Sequence, residues 1–589
     1  MAENYASNFI IGDQKIWIKD RKTEDIANAV LDFGADNTGA SDCTDALQNA
    51  LNSGKPYVYL PNGIYKTNKT LLMRSNTYLF GENATIESYN AESDPTIYNY
   101  SDGESGGYTA GENMVIDGLN IFSHNGQSIV LFCHCQNIKI VNCFIQCLKD
   151  YCRGHHIEIN SCQNVFIDNN ILKSVENKNE FIQLDVCTQY EVFPWYGPYD
   201  GTRLQYVTIS NNTLLHDKMP RPTKFDLGDT GIGNHNGDNT AQIRHVHIVG
   251  NYISRVRQGM KFKCFISGII ENNTIDLCQS GINHTSNSVI RDTIISNNYL
   301  YGNYSDNTGG LPENGVRGCG IRTGSELLTD IRNIISGNII KDFVGNGIWY
   351  VAGKNSEISG NTVVNCGMNG IYAGYSTEKV TINNNTCRNN GRYSNDVDKY
   401  YDLRVTNAKR SDITSSGNNI TNNNYCDSMI INEQDTADTM DYVYGNKCKK
   451  LAIGTITHIS QWANETDTNR GLVYKASNAI DASVFTPKAW STIGSIQVPE
   501  SGVWMCYIEI NMPAEYTGNY TLLLRNGSTE IGRQSGYSDG IIQTRLSICV
   551  PATVDSTLNL LWYLENEVTG NPTYRYRLCK LPVNPNGAF

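Results

Sequence analysis

Five short apolar segments of the chain carry the residues best suited to chemistry. Glu158 and Asn160 lie in the first, and Glu180, Gln183 and Asp185 in the second. His235 follows a glycine in the third, Lys261 and Lys263 lie in the fourth, and Arg322 comes later. If these are neighbouring strands, two acids, an imidazole and two ammonium groups converge within about four strand spacings, roughly 15 Å. Glu158 and Asp185 would lie one strand apart and two residues out of step, about 8 Å between backbones. Inverting glycosidases hold their two carboxyl groups about 6.5–9.5 Å apart, so that a water fits beside the sugar. The spacing therefore permits glycosidic hydrolysis. Glu180, at the start of its strand, is the alternative partner. Taken singly, each outward Glu, Lys or Arg also has a plainer reading as a solvated surface charge, and the joint placement carries the functional one.

Two repeats supply the strands. A phrase of an apolar residue, a polar residue, Asn or Gly, Asn and a second apolar pair recurs as FIDNNIL, TISNNTL, HIVGNYI, IIENNTI, IISNNYL, IISGNII, EISGNTV and TINNNTC. Its asparagines are Asn170, Asn212, Asn251, Asn273, Asn298, Asn338, Asn361 and Asn385, with weaker copies at Asn418 and Asn446. The steps of 42, 39, 22, 25, 40, 23 and 24 residues are too short for domains and indicate a solenoid. Alternating Ile and Val predict strands. Each Asn marks a bend where its amide bonds backbone and the Asn one coil away. Stacked asparagines of this kind mark a right-handed parallel β-helix. The longer steps carry loops, where function usually sits.

The second repeat aligns Ser128-Ile129-Val130-Leu131-Phe132 with the segments starting at His156, Phe181, Gly231, Gly259, Gly281, Gly320, Gly347 and Gly370. The second residue of each should face the core, and the first, third and fifth the outside. His284 falls on an inward position and reads as a satisfied structural histidine.

The 589 residues are 40% hydrophobic and 18% charged, with a net charge of −12. This fits an all-β protein of secreted or virion type and argues against nucleic acid as the partner. No run of 18 apolar residues predicts a membrane span. The start, MAENYASNFIIGDQ, does not read as a signal peptide, so folding in a reducing cytosol is expected. The 18 cysteines, many at repeat positions such as Cys143, Cys162, Cys278, Cys366 and Cys387, then read as buried structural thiols. Asp226, Asp229 and Asp238 flank the His235 segment and could hold calcium, but match no calcium-loop spacing. No metal or other cofactor is expected.

Residues 1–32 read as a leader, with a strand at Lys15–Lys19 and a helical pattern through Asp25–Val30. The phrase IIGDQKIWIKDRKTEDIANAV resembles the attachment leader of tail proteins from phages of Gram-positive bacteria, which implies docking to a phage tail or baseplate. Residues 33–452 read as the β-helix. Its opening, DFGADNTGASDCTDALQNALNSGKPYVYLPNGIYKT, resembles the start of the pectin-lyase-like superfamily, phage tailspikes included. Thr44–Leu51 within it reads as an amphipathic helix capping the solenoid. Residues 453–589 change to short strands and turns, as in a β-sandwich or jelly roll. There IQVPESGVWMCYIEI and YTLLLRNGSTEI resemble the trimeric jelly rolls that end phage fibres, which implies a homotrimer, carbohydrate binding, or both.

The succession of acid, acid, His and Lys-x-Lys resembles the arrangement of polygalacturonase-type glycoside hydrolases, where paired acids, a Gly-His-Gly turn and an Arg-x-Lys strand line one groove. The Asn-Thr-Asp and Asp-Asp pairs of that family are absent here. The resemblance implies that Asp185 and Glu158 are acid and base and that His235 orients or tunes an acid. Lys261 and Lys263, with Gln183 and Arg322, would hold an acidic or hydroxyl-rich sugar. Tyr190, Phe193, Trp195, Tyr196 and Tyr199 follow Asp185 closely, and Trp349 and Tyr372 extend the outward column. Their flat faces suit stacking on sugars; singly, each could equally pack a loop.

The expected function is a phage or prophage tailspike that binds and depolymerises a bacterial capsular or cell-wall polysaccharide by hydrolysis. It would be carried on the virion and act at the bacterial surface. A polysaccharide lyase on the same scaffold and a non-catalytic receptor-binding fibre are the alternatives.

Overall fold

The repeated asparagines set the geometry of the coil. The residue before each takes a left-handed conformation, as at Asn169, Asn211, Gly250, Asn272, Asn297, Gly337, Gly360 and Asn384. Asn and Gly tolerate that region at least cost. The following Asn turns inward, and its amide bonds the next coil's Asn. Asn170 Nδ2 lies 2.9 Å from Asn212 Oδ1, and the chain of such bonds runs through Asn251, Asn273, Asn298, Asn338, Asn361 and Asn385 to Asn418. The same Nδ2 groups donate to isoleucine carbonyls one coil back, as Asn170 does to Ile140 at 2.8 Å. Buried amides are thereby satisfied at every bend.

The computed structural model describes residues 8–11, 14–17, 23–91, 94–100, 104–124, 128–148, 154–175, 179–188, 197–217, 230–234, 243–302, 318–323, 332–378, 380–392, 400–405, 414–416, 418–420, 428–431, 442–444 and 450–453, and in the C-terminal part 473–479, 487–497, 502–511, 516–540, 543–552, 556–566 and 573–580. The chain divides into two units, 1–454 and 455–589.

The first unit is a right-handed parallel β-helix. Each coil holds three strands, and each strand pairs in parallel with its counterpart one coil on. Ile157–Asn160, Gln163–Asp168 and Ile171–Ser174 form one coil. Glu180–Asp185, Leu204–Ser210 and Thr213–His216 form the next. Three sheets result, here called first, second and third in the order of the strands within a coil. The core is a stack of like residues: Ile157, Ile182, Ile232, Met260, Ile282, Ile321, Ile348 and Ile371 follow one another in register in the first sheet, and all are buried. Helix α1, Thr44–Leu51, forms at the N-terminal end, with Leu47, Ala50 and Leu51 buried.

Several local expectations change. Ile26–Asn28 is a strand, not part of a helix, and pairs with Tyr57–Leu60, so coil pairing starts before residue 33. Asn8–Ile11 and Gln14–Trp17 pair antiparallel. The segment before Ile157 is one residue out of the expected register: Val130 and Leu131, not Ile129 and Val130, face Ile157 and Glu158. The first place of the repeat is also interior rather than outward. It lies in the corner where the third sheet meets the first. Phe181 there is buried against His156 and His216, with ring centroids 4.5 and 5.1 Å away. A Cβ on Gly231 would come within 2.7 Å of Ile253, which explains the run of glycines in that place.

The second unit is a β-sandwich. Val473–Ala479, Thr573–Lys580, Gly502–Asn511 and Gln543–Ala552 form one antiparallel sheet, and Trp490–Gln497, Thr557–Leu564, Tyr516–Asn526 and Thr529–Gly540 the other. Leu558, Leu560, Trp562 and Leu564 alternate inward along one strand, as a one-sided sheet requires. Thirteen of the cysteines, from Cys43 to Cys506, are buried thiols rather than disulfides. No described helix is long and apolar enough to cross a membrane.

Candidate functional site

Parallel pairing brings the two acidic segments into one square on the outer face of the first sheet. Glu158 faces Gln183 and Asn160 faces Asp185 across neighbouring strands. The two carboxylates therefore lie on a diagonal, as the strand arithmetic required. The square is far from solvated. Glu158 is 1% exposed and Asp185 4%. Burial of charge demands partners, and they are present. Ser128 Oγ donates a short hydrogen bond to Glu158 Oε2, and Asn160 Nδ2 donates to Oε1 at 3.1 Å. Gln183 Nε2 donates to Asp185 Oδ2. Each acid is thus held by an amide of the same strand, two residues away.

Glu180 enters the same region from the start of its strand and is fully buried. A Cβ placed on Gly233 would come within 3.1 Å of Glu180 Cγ and 2.6 Å of the Lys261 carbonyl oxygen. The place is too crowded for a larger residue, so no side chain stands in the outward column between Gln183 and Lys261. These two residues lie two strand spacings apart, about 10 Å. Lys261 and Lys263 are both half-buried on this face.

Further down, the column continues through Asn283, Arg322, Trp349 and Tyr372. Arg322 lies five spacings from Glu158, about 24 Å, too far to serve the same sugar linkage. Its guanidinium stacks 4.9 Å from the Trp349 ring and donates to the His284 carbonyl at 2.9 Å. Trp349 stacks on Tyr372 at 6.1 Å, and Arg404 lies 5.6 Å from Tyr372. Arg322 and Trp349 thus form a separate alternation of cations and aromatic rings. His284 is buried as expected, but neither ring nitrogen has a hydrogen-bond partner among the described residues. Burial, with the nearby Arg322 charge, lowers its pKa to about 3, so it is neutral. His235, Trp195 and Tyr196, with Tyr190, Phe193, Asp226, Asp229 and Asp238, lie outside the described residues.

Several contributors escape sequence inspection because their bonds cross coils. Ser128 belongs to the coil before Glu158. His155 Nδ1 donates to the Glu180 carbonyl at 3.0 Å and sits 3.7 Å from Glu180 Oε2. A charged cluster also adjoins the square. Asn160 Nδ2 lies 3.8 Å from Cys133 Sγ, and Cys133 shares a hydrogen bond with the Cys187 thiol. The His134 ring faces two carbonyl oxygens, of Gly107 at 3.0 Å and Pro198 at 2.8 Å. Two acceptors require two N–H donors, so the ring is an imidazolium. Burial opposes that charge, but the Cys187 sulfur, the Gly107 carbonyl and Asp200 outweigh it and raise the pKa to about 9. The Cys133 hydrogen bond, and then His134, lower Cys187 to about 6 despite burial. The only sequence signal for this cluster is the pairing of Cys133 with His134, just before the first acidic strand.

Residues 27–303 match the family model described as rhamnogalacturonase A/epimerase, pectate lyase-like. A curated protein named plasmin and fibronectin-binding protein A, from Streptococcus pneumoniae (strain ATCC BAA-255 / R6), is 25% identical over 298 residues, covering 44% of this chain; the match spans 40% of that protein's length. Two solved structures are also similar. The Dettilon tailspike protein is 13% identical, with 95% of this chain and 94% of that one covered and a TM-score of 0.46. The Yersinia enterocolitica family 28 exopolygalacturonase is 14% identical, with 75% and 80% covered and a TM-score of 0.37. The chain thus forms a parallel β-helix, and residues 27–303 of it are similar to a pectate lyase-like family.

Proposed function

We propose that the outer face of the first sheet binds a bacterial surface polysaccharide and cleaves it by hydrolysis, as part of a phage tailspike. The observation that carries the reading is the diagonal pair Glu158 and Asp185, each held by an amide of its own strand. One carboxyl would protonate the leaving oxygen and the other would activate water, which needs two acids with room between them. The bonds to Ser128 and Asn160 leave Glu158 fixed, so little reorganisation accompanies reaction. Lys261, two strands on from Gln183, would hold a carboxylate or hydroxyl of the next sugar. The matched family model carries the names of a rhamnogalacturonase and an epimerase, both carbohydrate-active. The sandwich of 455–589 would trimerise the chain, and the N-terminus would dock to the tail.

Burial of both carboxylates favours one competing reading, a fibre that grips glycan without cutting it. Incubation with capsular polysaccharide separates the readings. New reducing ends without the ultraviolet absorbance of unsaturated uronates support hydrolysis. Absorbance with new ends indicates a lyase. Retention of intact polymer with neither signal refutes cleavage.

A further inference from the structure

The second sheet carries a feature that the first-sheet site does not use. A column of left-handed bends runs across its strands: Asn76, Asn113, Asn137, Asn164, Tyr206, His245, Ser267 and Asp292, with φ between 51° and 61°. Pairing on either side keeps these residues in one column. Asn, Asp and Ser suit such bends, because a short polar side chain bonds locally; bulky residues there are strained. The first four form a ladder of amides. Asn113 donates to Asn76 at 2.8 Å, Asn137 to Asn113 at 2.9 Å, and Asn164 to Asn137 at 3.1 Å. At Tyr206 the amide ladder stops. Strained backbone persists where function holds it.

The two intruding rings are displayed rather than packed. Tyr206 is 52% exposed, and its ring stacks on His245 at 5.1 Å with planes 6° apart. In the adjacent column Lys139, Phe166, Thr208 and His247 follow in register. Phe166 is 42% exposed, with the Lys139 ammonium 5.6 Å from its ring centre. Together the columns line a groove of about 520 Å³, to which Asn137 and Asn164 also contribute. No carboxylate is among its described lining residues, although the chain carries a net charge of −12.

We propose that this groove is a second, non-catalytic glycan site that takes a short stretch of an acidic polysaccharide. Sugar rings would lay their C–H faces on Tyr206, His245 and Phe166, as aromatic faces allow. The Lys139 ammonium would pair with a sugar carboxylate, and the Asn164 amide and Thr208 hydroxyl would bond ring hydroxyls. Lys139 to His247 spans three strand spacings, about 14 Å, enough for a short oligosaccharide. An ammonium, amides and flat rings, with no carboxylate among the described lining residues, complement an acidic glycan in charge and in shape. Such a site would hold the protein on its polymer while the first sheet works. It extends the polysaccharide reading given above, but stands or falls on binding alone.

Affinity electrophoresis of the full chain tests it, in native gels carrying polygalacturonate, alginate or hyaluronate, with dextran as the neutral control. The same gels are run with Glu158→Gln. At least one acidic polymer should retard the protein more than dextran does. Tyr206→Asn and Phe166→Ser should each weaken that retardation about fivefold or more, as loss of a stacking ring costs. Lys139→Gln should remove the preference over dextran. Tyr206→Asn restores the residue type of the ladder, so its melting temperature should not fall. Absence of retardation by every acidic polymer overturns the proposal, as does retardation that survives Tyr206→Asn. A change in oligomer mass on Tyr206→Asn also overturns it and assigns the face to a second copy. Tyr206-dependent retardation in a protein that generates no reducing ends would sink the hydrolase reading and leave this one intact.

Discussion

Glu158 gives the sharpest test of the site, because the structure separates its chemical role from its structural one. Its two oxygens accept hydrogen bonds from Ser128 and Asn160, in a place that is 1% exposed. Glu158→Ala removes both acceptors and strands two buried donors. Each stranded group costs about 1–3 kcal/mol, so the loss should total about 2–6 kcal/mol. Glu158→Gln keeps the shape. Its Oε1 can still accept from Asn160, and its Nε2 can donate to the Ser128 oxygen once that hydroxyl rotates. Its stability should fall by less than about 1.5 kcal/mol, the net worth of one ordinary hydrogen bond. Turnover should nonetheless fall about 10²–10⁴-fold, as for loss of a general acid or base. Urea unfolding followed by circular dichroism measures the first quantity, and reducing-end release from capsular polysaccharide the second. The reasoning is refuted if Glu158→Gln keeps near-normal turnover, or if it unfolds as readily as Glu158→Ala. The first result would move the chemistry to Asp185 and Glu180. The second would make Glu158 a structural residue alone.

Gly233→Ala should cut activity and lower the melting temperature, because its methyl meets the Lys261 carbonyl oxygen at 2.6 Å and backbone cannot yield cheaply; a fully active, equally stable variant would mean that close packing at Gly233 does not position the site. Acid should destabilise the β-helix through neutral buried histidines. Burial lowers His156 to about 3, His284 to about 3 and His216 to about 4. Their unfolded pKa is near 6.5, so below that pH the unfolded chain binds the extra protons and stability falls. Between pH 6.5 and 4.5 each histidine forfeits about 2–3 kcal/mol, and His156→Phe, keeping a ring on Phe181, should flatten the urea midpoint's dependence on pH; an unchanged slope would count against the assignment. Light scattering of the intact chain should show three copies, and deletion of 455–589 should leave a less stable β-helix, as mass action requires; a stable monomer with the sandwich intact would end the trimer idea.

The sequence by itself determined the coil. Asparagine after a left-handed residue, spaced by isoleucine pairs, leaves few alternatives, because those residues satisfy a bend only when stacked on one another. It also determined the register from Ile157 onward, since a one-residue slip would turn every isoleucine outward. Hence Glu158, Gln183, Asp185 and Lys261 fall on one face by strand alternation alone. The segment at Ser128–Phe132 defeated the same reasoning because Ile129, Val130 and Leu131 are all apolar, and no alternation marks which one points in. Helical propensity at Asp25–Val30 likewise lost to pairing of Ile26–Asn28 with Tyr57–Leu60. Only the tertiary structure decided what touches what between coils. Burial of the acids, the Ser128 and Asn160 bonds to Glu158, the imidazolium of His134 and the exposed rings of Tyr206 and Phe166 all depend on partners tens of residues away. Strand periodicity fixes which way a side chain points; it carries no information about the height of the neighbouring coil's side chain, and that height sets burial, charge and reach.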